Sequence, residues 1–167
     1  TSGIVFHSYR SGQWEIYSIY PDGSNEVRLT WTENGTSWHP DWHWGLGKIA
    51  LVCVEPEEGI CVMNSDGSEL VQILSGNNPY SVAFMNPSWS PDGQRIAFLA
   101  RPNHQTNDFG MFVMNADGTG VVQLIDDAYD HTLDWSPDGA KIMFGSYPEE
   151  DSNLPSYQRR REIYVMN

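Results

Sequence analysis

Short apolar runs separated by turn words dominate the chain. Ile49-Ala50-Leu51, Ile96-Ala97-Phe98-Leu99 and Met111-Phe112-Val113-Met114 are each too brief for an ordinary helix. Short runs of this kind between Gly, Pro, Asp and Ser clusters read as buried strands. The punctuation is specific: Ser90-Pro91-Asp92-Gly93 and Ser136-Pro137-Asp138-Gly139 each lead into such a run, with proline presetting φ and glycine taking the positive φ that closes the turn. Asp22-Gly23-Ser24, Asp66-Gly67-Ser68 and Asp117-Gly118-Thr119 are tight hairpin words.

These words repeat with a fixed phase. Trp precedes Ile by seven residues at Trp42 and Ile49, Trp89 and Ile96, and Trp135 and Ile142. The hairpin Asp reaches an aliphatic residue seven positions on, at Leu29, Ile73 and Leu124. With Ile4, Ile49, Ile96 and Ile142 as markers, the periods are 45, 47 and 46 residues. Each copy reads as a four-stranded antiparallel unit that is apolar on both faces and must stack on its neighbours. The prediction is an all-β, single-domain β-propeller of four tandem four-stranded blade repeats, two complete and two partial, at about 1–38, 39–84, 85–132 and 133–167.

The words W-S-P-D-G, I-A-F, I-Y-V-M-N and A-D-G-T resemble the WD-like repeats of the TolB-type β-propellers over essentially the whole chain. The resemblance implies one of three settings: the protein-binding domain of TolB, the gating propeller of prolyl-oligopeptidase-like enzymes, or the scaffold of oligogalacturonate lyases. The second copy departs from the pattern, because His43-Trp44-Gly45-Leu46-Gly47 replaces Ser-Pro-Asp-Gly-Gln. A regular Pro-Asp-Gly turn is not expected there.

Composition agrees with many short strands, with 15 Gly, 10 Pro and 40% hydrophobic residues. Acidic residues outnumber basic ones 22 to 9, giving a formal charge of −13, which argues against nucleic acid as a partner. Arg159-Arg160-Arg161 is read as a solvated loop. No stretch is long and apolar enough to insert in a membrane as a helix.

Candidate contacts fall in two places. Trp38 and Trp44 have no tryptophan counterpart in the other copies, whereas Trp42 matches the blade tryptophans Trp89 and Trp135; exposed indoles suit stacking on sugars or partner side chains. The innermost strand directs His39, Asp41, Asn86, Ser88, His131 and Asp134 to the central channel, where propellers take peptides or small ligands. The lyases hold a metal there with histidines, but His39 and His131 form no ligand motif, and polar lining is the favoured reading. Glu55-Glu57-Glu58, Asp126-Asp127-Asp130 and Glu149-Glu150-Asp151 are acidic clusters that suit Ca²⁺, yet none has the alternation of a calcium loop. No cofactor is therefore expected. No G-x-S-x-G nucleophile word occurs, and Asn34-Gly35-Thr36 is a glycosylation sequon.

Pairing Val54 with Ile60 would set Cys53 directly opposite Cys61 on adjacent strands, within disulfide range; a bridge and two buried thiols both remain open. The phase also predicts a first blade lacking its inner strand and a last blade lacking its outer one, edges covered by further blades or by self-association into a ring or filament. The expectation is a non-enzymatic, periplasmic or secreted module that binds protein, glycan or itself. The rival is the propeller of a larger peptidase-like or lyase-like enzyme.

Overall fold

The computed structural model describes residues 3–33, 35–54, 57–76, 83–101, 109–128, 132–148, 151, 158, 160 and 162–167. Among them lie fourteen strands in four antiparallel sheets, and no α-helix. Blade 1 is β1 (Ile4–Ser8), β2 (Glu15–Ile19) and β3 (Val27–Arg28). Blade 2 runs from the inner strand outward as β4 (Ser37–His43), β5 (Lys48–Val54), β6 (Glu58–Asn64) and β7 (Val71–Ser75). Blade 3 repeats this order as β8 (Ala83–Trp89), β9 (Arg95–Arg101), β10 (Phe109–Asn115) and β11 (Val122–Ala128), and blade 4 comprises β12 (Leu133–Trp135), β13 (Ile142–Ser146) and β14 (Glu162–Met166).

The two-residue period of each strand sorts the core into layers between blades. Ile49, Leu51, Cys53, Cys61 and Met63 of blade 2 pack on Ile16 and Leu29 of blade 1. Ala50, Val52 and Ile60, pointing the other way, meet Phe84, Ile96, Phe98 and Phe112 of blade 3. Ala97, Leu99 and Met111 then meet Trp135, Ile142 and Phe144 of blade 4. No blade could bury both faces alone, so stacking is the fold's source of hydrophobic stabilisation.

The hairpin words do more than turn the chain. Gly67 and Gly118 have φ of +86°, and a Cβ on Gly118 would come 2.0 Å from the Ile73 carbonyl oxygen. The Asp-Gly turn of blade 3 thus sits against the outermost strand of blade 2. The turn of blade 2 is placed likewise, with Gly67 against Leu29 of blade 1. Asp66 and Asp117 accept from the hydroxyl and backbone N–H of Ser68 and Thr119, and these hydrogen bonds hold both carboxyls below the ordinary carboxylate value.

The structure bonds Cys53 to Cys61, with Cα atoms 5.9 Å apart, but the register differs from the expected one. Cys53 pairs with Gly59 and Cys61 with Leu51, so the two cysteines are diagonal neighbours on one face. The shift follows from a shorter β5–β6 connection, in which Val54 pairs with Glu58. The bridge also has a positional logic. Cross-strand stacked rings occupy one equivalent site in three blades, as Phe6 and Tyr17, Phe98 and Phe112, and Phe144 and Tyr164. In blade 2 that site holds Leu51 and Cys61, and the disulfide takes the place of the aromatic pair.

Candidate axial site

The inner strands β4 and β8 share a kink that the repeat words did not announce. The β4–β5 register slips between Trp38 and Asp41, and the β8–β9 register between Met85 and Ser88. His39 and Asn86 sit in these bulges with φ of 49° and 47°, uncommon for non-glycine residues. Proline follows each, at Pro40 and Pro87, and lacks the N–H a ladder would need. The legible signal was a proline two residues before the blade tryptophan in both copies. The bulged backbones join the blades: the His39 N–H donates to Nδ1 of His7 at 3.3 Å, and the Asn86 N–H donates to Nδ1 of His39 at 3.3 Å. Partial burial lowers the His7 pKa from 6.5, which favours the neutral ring that this acceptor role requires.

Below the bulges the strands enclose two cavities along the axis. A polar one of about 220 Å³ is lined by His39, Asp41, Asn86, Ser88 and Asp134. The other, about 410 Å³, opens on the side of the β4–β5, β8–β9 and β12–β13 turns, and is walled by Trp42, Trp44, Trp89 and Trp135. Asp41 and Asp134 line both. Asp41 Oδ2 accepts the Trp89 N–H at 2.7 Å, and Asp134 Oδ1 accepts from the Trp135 N–H at 2.8 Å. Burial raises the Asp41 pKa, opposed by the Trp89 N–H bond, and repulsion from Asp134 adds to the rise.

The irregular turn of blade 2 gives this mouth a strongly exposed indole. His43 occupies the position of Ser90 and Ser136. Its Nδ1 accepts the Leu46 N–H at 3.1 Å, which leaves the proton on Nε2 to donate to the Pro91 carbonyl at 3.0 Å. Leu46 lies against Gly93 of the next blade's turn. The turn is pinned twice to blade 3, and Trp44, standing where the other turns have proline, is left 82% exposed. Trp38 behaves differently. It is half-buried against the core between blades 2 and 3 and lines neither cavity. The placements of His131 and Asn34 lie outside the described residues, as do parts of the acidic clusters. Among the described residues no group of three or more His, Cys, Asp or Glu could hold a metal ion. Arg160, from the basic run, pairs with the buried Asp151 at 3.1 Å.

Stacked sheets of three and four antiparallel strands around a polar axis define the class, a β-propeller. No family model matches the chain. A curated relative, the Tol-Pal system protein TolB of Geobacter metallireducens, is 35% identical over 87 residues, which are 52% of this chain and 19% of that protein. Among solved structures, one assigned as TolB from Agrobacterium tumefaciens superposes with a TM-score of 0.75 at 21% identity, over 98% of this chain and 56% of its own. An oligogalacturonate lyase in complex with manganese superposes with a TM-score of 0.61 at 15% identity, over 97% of this chain and 42% of its own. The chain therefore has the β-propeller fold of these structures and resembles TolB over 87 residues, and it spans little more than half of that structure and a fifth of the Geobacter protein.

Proposed function

We propose that this chain is a non-enzymatic binding module that takes a protein segment at the turn-side mouth of its axis. One observation carries the reading: Trp44, 82% exposed, stands on a turn fixed by two contacts to the next blade and walls a cavity shared with three further tryptophans. A large exposed indole on a rigid support loses little entropy on binding and is the residue type that anchors interfaces. The relative whose name places it in the Tol-Pal system supports a protein partner, and the Cys53–Cys61 bond fits an extracytoplasmic, periplasmic or secreted setting.

Selection from a displayed peptide library against the immobilised chain is the experiment. Binders should be recovered, and Trp44→Ala should release them without lowering thermal stability. Binders indifferent to Trp44→Ala would overturn the assignment of the mouth. The rival, an enzyme's propeller, draws on the lyase likeness. It predicts unsaturated product from polygalacturonate with manganese added, either by this chain or by a longer protein containing it.

A further inference from the structure

The axial cavities are lopsided in charge. Asp41 and Asp134, contributed by blades 2 and 4, line both halves, and among the described residues no lysine or arginine lines either. Among the described residues His43 is the one basic ring at the turn-side mouth, and its two nitrogens are engaged by Leu46 and Pro91. Each carboxylate is held in place by a blade tryptophan's backbone N–H, at 2.7 and 2.8 Å. Backbone donors orient these oxygens without neutralising them, and the pair faces one space from two blades. The remaining wall is aromatic, and indole faces attract cations. The molecule already uses that chemistry: the Arg95 guanidinium lies 4.8 Å from the ring centroid of Trp135, a wall residue of the mouth, and in blade 1 Arg28 lies 5.5 Å from that of Trp31. Trp44 has no such partner among the described residues. The whole chain, at −13, adds a long-range field of the same sign.

We infer that the segment bound at this mouth presents a lysine or arginine side chain, its cationic head between Asp41 and Asp134 and its stem against the indole of Trp44. This rests on the mouth being a peptide site. It adds to that reading the chemistry of the residue that enters. A guanidinium fits both parts of the site, since it pairs with carboxylates and stacks on indoles.

The probe is the capped pentapeptide Gly-Gly-Arg-Gly-Gly, with versions carrying lysine, citrulline, norleucine or glutamate at the centre. Each is titrated into the ¹⁵N-labelled chain while the indole Nε1–H resonances are followed. Arginine and lysine peptides should shift the Trp44 and Trp89 signals with at least tenfold lower Kd than citrulline or norleucine, and the preference should disappear in Asp134→Asn and Asp41→Asn and weaken with salt. Asp134 is exposed, so its variant separates loss of charge from loss of folding. If the neutral peptides bind as well as the charged ones, the cation inference falls and the peptide site stands. A preference that survives both substitutions would assign the attraction to overall charge and overturn the site. If no peptide moves an indole signal, the inference and the reading beneath it both fail.

Discussion

Phe98 and Asp41 mark two kinds of residue in this molecule. Phe98 is fully buried, with ring centroids of Phe84 and Phe112 at 5.9 and 5.6 Å. Phe98→Ala should cost about 3–5 kcal/mol, read as a lower urea midpoint; a loss under about 1 kcal/mol would mean that the blade 2–blade 3 layer is not packed as described. Asp41 is the reverse case. Its carboxyl is raised above the ordinary value by burial and by Asp134, so the folded protein holds the ionised form at a penalty at neutral pH. That penalty begins to be relieved as pH falls through the raised value and is gone below the unfolded one. Asp41→Asn keeps an oxygen to accept the Trp89 N–H while removing the buried charge. It should leave the unfolding midpoint at pH 7 no lower than wild type while abolishing the cation preference. A clear loss of stability would show that Asp41 is retained for the fold instead.

Between blades, the elements are joined by a few directed contacts. His7 accepts the His39 N–H only when neutral, and its folded pKa lies below 6.5. A group depressed in this way contributes stability that is present above the unfolded value and lost as pH falls through the folded one. Unfolding midpoints should therefore drop on acidification below about pH 6.5, and His7→Gln, which keeps an acceptor but cannot titrate, should flatten the decline there. On the blade 2 face, the Cys53–Cys61 bond predicts no free thiol in denatured, unreduced protein, and its reduction should cost on the order of 2–3 kcal/mol for so short a loop. The strands, turns and blade count were legible in the sequence because Trp-to-Ile and Asp-to-aliphatic spacings repeat. The β5–β6 register was not, since the length of the Glu55 to Gly59 connection is compatible with pairings two residues apart. The pinned turn was equally hidden, because His43 acts through Pro91 of another blade, and the bulges at His39 and Asn86 were marked only by the prolines that follow them.

At the scale of the whole molecule, blade 4 presents an apolar sheet face that no described residue covers. Met143, Ile163 and Val165 of blade 4 occupy the positions of Ala97, Met111 and Val113 in blade 3, and are 36%, 68% and 61% exposed. In blade 3 those positions are covered by the next blade, so a further blade is the surface that fits them. In a preparation of these residues alone, a second copy can take that place. Light scattering at tens of micromolar should then show association that Ile163→Lys and Val165→Lys suppress, whereas a monodisperse monomer unaffected by these changes would count against it. The central claim concerns the axis, and hydrogen exchange on the complex with the tightest displayed peptide addresses it most directly. The account predicts slowed exchange at 41–44, 88–91 and 134–137, the three turn-side segments of the inner strands. Protection confined to the outer strands β7 and β11, with the axial segments unchanged, would contradict it.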